Sequence, residues 1–352
     1  MDCSRFRLND RQLYAVEETR KNFRLFWNDP KIARPAVLIH PPVESPWTVR
    51  ERTHDPAKML AHELKVVQAH LMQGDDYVPA ARVEFGTGQI AHAYGCEMYE
   101  PENSPPCSAG HVMQSIEEAE TLLLPDLRAG WFGGLEKYSE YFRKRLPEGV
   151  ALQIPDIQGP FNNAHLVRGN DILYDFYDEP DLLHTLLTRM TDHLIELTRW
   201  LHGLCTPEPD GFFCDWGCLW KGGARISNCS LHMISTEFYR EFIRESDQRL
   251  IDAMGAGRIH YCGEHDDGLM DSFFEMPNMT GVDFDGTYHD LWELSERAPE
   301  KVSLLVYATR ENIDRLLSGD WPKKRNIIIQ AYAPSIEAGR DLYRRLRDSM
   351  PC

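Results

Sequence analysis

The chain has 352 residues, 42% hydrophobic and 26% charged, an ordinary globular balance with enough length to bury a large core. A formal net charge of −17 excludes broad binding to a nucleic-acid backbone, which needs a basic face, and leaves room only for a local basic pocket. No run approaches the roughly 18–20 apolar residues of a membrane helix. Nine cysteines without a paired framework, behind the polar N-terminus MDCSRFRLNDR, point to a reducing cytoplasm where thiols serve as ligands or core.

Residues 9–27 open on an Asn-Asp capping signal and carry Leu13, Val16, Phe23, Phe26 and Trp27 on one face, which predicts an amphipathic helix ahead of the first strand. Residues 1–34 are accordingly expected to form an N-terminal helical cap on one barrel end. ARPAVLIHPP, 33–42, is a first strand closed by prolines, and a helix follows over 56–73, stopped at Gly74. A second strand spans 76–85 and ends at Glu84. CEMYEPENSPPCSAG, 96–110, is an excursion rich in proline and polar residues. Helices at 114–123 and 131–146 lead to the third strand, VALQIPDIQGP, which carries Asp156 and Gln158. After helical pieces at 161–168 and 170–177 comes a long helix, 179–203, with Glu179-Pro180 at its start and Gly203 at its end.

GFFCDWG reads as the fourth strand, followed by a long loop over 216–235 and a helix. The remaining strands come at short intervals: RIHYC at 258–262, then 280–285, 302–307 and 326–332, with helices at 266–275, 289–298, 310–318 and 335–349 between and after them. Eight strand and helix units in alternation predict an α/β fold, a (β/α)8 TIM barrel in a single domain over 1–352; an open doubly wound sheet is the alternative.

A barrel keeps its chemistry at the C-terminal ends of its strands. That rule selects His40, Glu84, Asp156, Gln158, Asp215, His260, Cys262, Asp283, Asp285, Tyr307, Gln330 and Tyr332. Glu84, Asp156 and Asp215 are the candidate catalytic carboxylates; His40, Gln158 and Tyr332 are the candidates for holding a cofactor or substrate. On a strand, His260 and Cys262 point to one side and offer nitrogen and sulfur to a single metal ion, the ligands zinc takes. Other features carry less. His62-Glu63 has Val66 where a zincin helix needs its second histidine, Gly86-x-Gly88 is too short for a dinucleotide fingerprint, and Trp216, Trp220, Phe212 and Phe213 suit packing or a flat apolar ligand at the mouth.

PDIQGPFNNAHLVRG at 155–169, the helix beginning DEPDLL, RISNCSLHMISTEFYREF at 225–242 and GRIHYCG at 257–263 together resemble the uroporphyrinogen decarboxylase superfamily over nearly the whole chain. The resemblance implies a (β/α)8 barrel with an N-terminal helical cap, and one of two chemistries: porphyrinogen decarboxylation, or zinc-dependent methyl transfer between corrinoid proteins and thiols. The decarboxylases hold their anionic tetrapyrrole with a Gly-Arg-Tyr block after the first strand; the corresponding LIHPPVESPWTVRER lacks it, and Arg50 and Arg52 stand on no recognisable motif. The methyltransferase branch places His-x-Cys at the end of the fifth strand, matched by His260 and Cys262. Its further cysteine at the eighth strand has no counterpart in IIIQAYAPS.

A third ligand must then come from elsewhere. Cys229 is the first candidate, Cys214 and Cys218 are weaker ones, and Asp283 or Asp285 are oxygen donors; Glu264 and His265 are neighbours of the pair, and Tyr332 is a polar contact in place of the absent cysteine. The resemblance thus implies a zinc methyltransferase that takes a methyl group from a methylated corrinoid protein partner to a thiol, on a small-molecule substrate, with neither nucleic acid nor membrane as partner. The alternatives are a lyase acting on a porphyrinogen or another carboxylated aromatic, and a non-catalytic corrinoid or small-molecule binding protein.

Overall fold

The computed structural model describes residues 6–351; Cys3, Cys352 and the first five residues of the expected 1–34 cap lie outside them. Eight parallel strands alternate with helices: β1 (Ala36–His40), β2 (Ala80–Ala81), β3 (Ala151–Leu152), β4 (Ala224–Ser227), β5 (Gly257–Tyr261), β6 (Met279–Asp285), β7 (Ser303–Tyr307) and β8 (Ile327–Tyr332). Six form one sheet in the order β1-β8-β7-β6-β5-β4, and β2 pairs with β3 separately. Single backbone bonds connect the two sets, Asp76 N–H to Val37 O at 3.0 Å and Gly159 N–H to Ser227 O at 2.8 Å. The result is an α/β fold consistent with a TIM-type barrel whose hydrogen-bonded ladder does not run closed.

Proline accounts for the two short strands. The expected strands around 76–85 and 150–160 contain Pro79 and Pro155, which have no N–H to give a ladder, so pairing is confined to two residues in each. Strand β1 is left with a buried, unpaired edge, and side chains occupy it. Asp76 accepts from Val37 N–H at 2.9 Å, Asp75 accepts from Ile39 N–H at 2.8 Å, and Gln73 Nε2 donates to Ile39 O at 2.6 Å. Arg34 grips Asp76 through both terminal nitrogens, at 3.0 and 2.7 Å. Gln73 ends the helix Pro56–Gln73, Gly74 stops it with φ 80°, and Asp75 and Asp76 follow at once, so the edge is sealed by the turn that the helix stop creates.

The fourth strand differs from expectation. The strand beside β5 is Ala224–Ser227, inside the segment read as a loop; Phe212–Asp215 instead pairs antiparallel with Cys218–Lys221 as a hairpin. Its two turn residues, Trp216 and Gly217, both have positive φ, 52° and 68°, the condition for a tight two-residue turn that follows strand twist. The hairpin is almost wholly buried and packs across the ends where the sheet strands begin. Trp220 lies against Gly281, where an added Cβ would come 2.3 Å from its ring. The helix Asp10–Asn28 covers it, with Trp27 against Phe212 and Trp220 at 5.7 and 6.0 Å between ring centres and Trp27 Nε1 donating to Thr280 O at 2.9 Å.

The 96–110 excursion closes as a small antiparallel hairpin, Glu97–Tyr99 with Cys107–Ala109. The longest helix runs Pro180–Leu204, and its leucines Leu183, Leu186, Leu187, Leu194, Leu197 and Leu201 are buried at helical spacing. No helix among the described residues is long and apolar enough to cross a membrane.

Because Asp76 satisfies both a buried backbone N–H and the Arg34 guanidinium, Asp76→Ala is expected to destabilise the fold by about 3 kcal/mol or more, measured by urea unfolding. A change below about 1 kcal/mol, the range of an exposed ion pair, would contradict this account of the β1 edge.

Candidate metal centre

Strand register assembles the centre. In the sheet His260 on β5 lies opposite Ser227 on β4 and Asp283 on β6, so the three face the same side at one level. Two residues further along each chain, Cys262 and Cys229 return to that side, Cys229 opening a single 3₁₀ turn, Cys229–Met233. The two sulfurs lie 3.2 Å apart, and one ligand atom from each of Cys229, His260 and Cys262 falls within 4.8 Å of the others. Two sulfurs on one tetrahedral zinc would be about 3.8 Å apart, given Zn–S bonds of about 2.3 Å, so only a small opening separates this spacing from a coordinated one. The donor set, two thiols and an imidazole, suits zinc and leaves a fourth position open, as in catalytic sites.

A carboxylate fixes the histidine. Asp283 Oδ2 takes His260 Nδ1–H at 2.6 Å, which leaves Nε2 as the nitrogen for a metal. Burial pulls the His260 pKa down, but the charge and hydrogen bond of Asp283 outweigh it and bring it to about 9. Asp283 itself is held at about 2: burial opposes its charge, and Arg258 and His260 more than restore it. Between the two thiols, the hydrogen bond from Cys262 draws Cys229 down to about 4, and the same bond, with burial, pushes Cys262 well up. With no metal present, the pair therefore shares one proton between two sulfurs.

Cys229 is anchored from behind. Its neighbour Asn228 donates through Nδ2 to Asp247 at 2.6 Å, and Tyr239 donates to the same oxygen at 3.2 Å. Asp247 lies on the helix Arg244–Ala253, fully buried, and burial raises its pKa to about 7.

Behind Asp283 a chain of alternating charge crosses the interior. Arg258 binds both Asp283 and Asp215; Asp215 also binds Arg82 and, at 3.4 Å, Arg225; Arg225 in turn binds Asp156. The structure moves Asp215 from an expected strand end to this buried hub, because its strand belongs to the inserted hairpin. Burial works against its charge, and Arg258, Arg82 and Arg225 together hold its pKa below the usual range.

Glu84 and Asp156 are both half-buried beyond β2 and β3. Burial, and then the charge of Asp156, raises the Glu84 pKa, and Glu84 accepts from Gly86 N–H at 2.6 Å. Gln158 is buried, donating to Asp156 at 3.5 Å and accepting from Asn162 at 2.6 Å. His40 and Tyr332 meet across β1 and β8, ring centres 5.6 Å apart; burial, and then His70, lowers the His40 pKa to about 4, and Tyr332 is exposed. Asp285 caps Thr287 N–H at 2.8 Å, His265 donates to Ile234 O at 2.8 Å, and Cys214 and Cys218 are buried in the hairpin with thiol pKa values pushed up by burial. Among the described residues, the cluster able to hold a metal is Cys229, His260 and Cys262.

Arg82, Arg225 and Arg258 stand in no catalytic or ligand motif of the sequence, yet each lies two residues before Glu84, Ser227 or His260. The period of two on a strand was the available signal that they point inward.

Comparison with known proteins bears on the whole arrangement. A family model described as uroporphyrinogen decarboxylase (URO-D) matches residues 43–202. Over that stretch the chain is similar to the uroporphyrinogen decarboxylase family. A methyltransferase from Methanosarcina mazei is similar in fold, with a TM-score of 0.67 at 14% identity over 94% of this chain and 97% of that one. A Listeria monocytogenes protein described as a candidate vitamin-B12-independent methionine synthase aligns over 90% of this chain and 98% of its own at 10% identity, with a TM-score of 0.46 that supports no argument. No curated protein matches. The superfamily match ends before Cys229, His260 and Cys262, so the metal centre rests on its geometry alone.

Removing the Asp283 charge with Asp283→Asn is expected to weaken zinc binding by about 10- to 100-fold, read by competition with a chromogenic chelator. Wild-type affinity should fall as pH drops below about 9, because protons then compete for His260. A flat zinc affinity across pH 6–9 would contradict that linkage. Asp247 gives a separate signature. Its folded pKa is raised, so the wild type should lose stability as pH climbs from the ordinary carboxyl range to about 7, and Asp247→Asn should remove that loss in thermal melts.

Proposed function

We propose that this chain is a zinc-dependent methyltransferase that moves a methyl group from a methylated corrinoid protein to a small-molecule thiol. The observation carrying the reading is the convergence of Cys229, His260 and Cys262, with Asp283 behind the histidine. These residues supply three protein ligands, and Asp283 fixes the tautomer that presents Nε2. Bound zinc would keep a substrate thiol deprotonated at neutral pH, which a free thiol with a pKa of about 8.5 is not.

In the overall reaction the S–C bond forms and the carbon–cobalt bond breaks with its electron pair left on cobalt. The thiol proton is released. Glu84, whose pKa burial and the charge of Asp156 raise, and Asp156 are assigned to orienting the substrate and accepting that proton. His40, neutral at physiological pH, and Tyr332 on the β1–β8 side are assigned to contacts with substrate or the incoming corrinoid. The family match over residues 43–202 and the fold shared with a methyltransferase support an enzyme of this kind. The interior arginines do not favour the decarboxylase alternative, since Arg82, Arg225 and Arg258 are all engaged by internal carboxylates instead of being free for an anionic tetrapyrrole.

Purified protein is expected to carry about one zinc per chain by elemental analysis. Cys262→Ala and Cys229→Ala should each lower that content and abolish methylthioether formation from methylated corrinoid and thiol, whereas alanine at the exposed Cys107 should change neither. Protein that neither contains nor takes up zinc, or that releases carbon dioxide from a porphyrinogen in the presence of chelator, would overturn the assignment.

A further inference from the structure

The strands begin at the end of the sheet opposite the metal centre, and there the charge balance of the molecule inverts. A hollow of about 280 Å³ is lined by Lys31, Lys323, Lys324 and Arg325, with Glu300 as its one carboxylate among the lining residues. The chain as a whole carries −17, yet none of these four cations forms an ion pair among the described residues. Lys324 is the informative one. Its stem is largely buried, and Nζ donates to Pro299 O at 2.8 Å, a neutral carbonyl in place of a counter-ion. Burial lowers its pKa to about 8, and the charge of Glu300, which lines the same hollow without forming an ion pair with it, offsets only part of that cost.

The walls are built. Asn326, almost wholly buried at the start of β8, donates to Phe26 O at 3.1 Å and to Glu300 O at 2.9 Å, tying the end of the first helix and the segment before β7 to the floor of the hollow. Arg325 donates to Pro351 O at 3.1 Å, which fixes its stem and leaves further guanidinium nitrogens for a ligand. Four cationic donors from two chain segments, with Glu300 leaving a net charge of +3, match a compact multivalent oxyanion better than a monovalent carboxylate or an apolar group.

We propose that this hollow is a binding site for a phosphate or diphosphate group, separate from the metal centre and independent of the methyltransferase reading. The bound group would bridge Lys31, Lys324 and Arg325 and thereby clamp the segment after the first helix to the segment before β8.

The test uses the full-length chain and inorganic pyrophosphate, with orthophosphate in parallel to show whether one phosphate group suffices. Titration calorimetry is expected to show saturable binding near one site per chain, with a rise in Tm beyond that given by sodium chloride of equal ionic strength. Lys324→Met, which keeps the buried stem, should weaken binding by about tenfold or more, the worth of one charge-assisted hydrogen bond. Lys31→Met, on an exposed side chain that the fold does not need, should also weaken it. Absence of saturable binding at millimolar pyrophosphate, a Tm rise matched by sodium chloride, or unchanged affinity in both variants would each overturn the proposal. Zinc content is read on the same samples, so failure here is distinguishable from failure of the metal assignment.

Discussion

The guanidinium groups of Arg82, Arg225 and Arg258 stand together in the interior of this molecule, and they can do so only because Asp215 and Asp283 stand there with them. An unpaired buried charge costs far more than any single contact returns, so each member of the series Asp156–Arg225–Asp215–Arg258–Asp283 requires its neighbours. The series ends on His260, where its consequence becomes chemical. Arg258 keeps Asp283 ionised, Asp283 orients the imidazole, and the nitrogen left over faces the two thiols. The same logic removes Asp215 from acid–base chemistry, because a carboxylate bound by three arginines does not exchange protons near neutral pH.

The scaffold solves a second problem with side chains where backbone pairing is interrupted. Prolines shorten β2 and β3, so β1 would present bare N–H and C=O groups to the core. Asp75, Asp76 and Gln73 take the place of the missing strand, which allows an incomplete ladder to behave as a rigid wall. At the other end of the strands the inserted hairpin fills the space between them, and it brings Asp215 with it. The plug and the charge hub are thus one device.

The alternation of strands and helices was legible because parallel strands buried on both faces read as apolar runs, as AVLI, SLLV and NIII do here. His260 and Cys262 were legible for the same reason, as the polar ends of such a run. The fourth strand was not. ARIS holds only four residues, with a buried arginine in second place, while the more apolar FFC beside it looked the better strand; what separates them is the partner each finds, a tertiary fact that periodicity does not contain. Cys229 was legible as a thiol on a loop long enough to cross the mouth, whereas the buried arginines were hidden because arginine is generally exposed.

The source of the third thiol has a structural consequence. All three candidate ligands come from the ends of β4 and β5, with the orienting carboxylate on β6, so the metal centre occupies one arc of adjacent strands. A ligand drawn from β8 would have tied the centre to the far side of the sheet order. Instead, the side formed by β8, β1, β2 and β3 retains His40, Tyr332, Glu84 and Asp156, none of which is needed to hold the ion. In the proposed reaction, a thiol on the β4–β5 arc would face His40 and Tyr332 on the β1–β8 side, which stand outside the charge series and can contact its remaining atoms and its methyl donor. Substitutions at His40 and Tyr332 should therefore alter selectivity while leaving the metal in place, a separation that a centre shared with β8 would not permit.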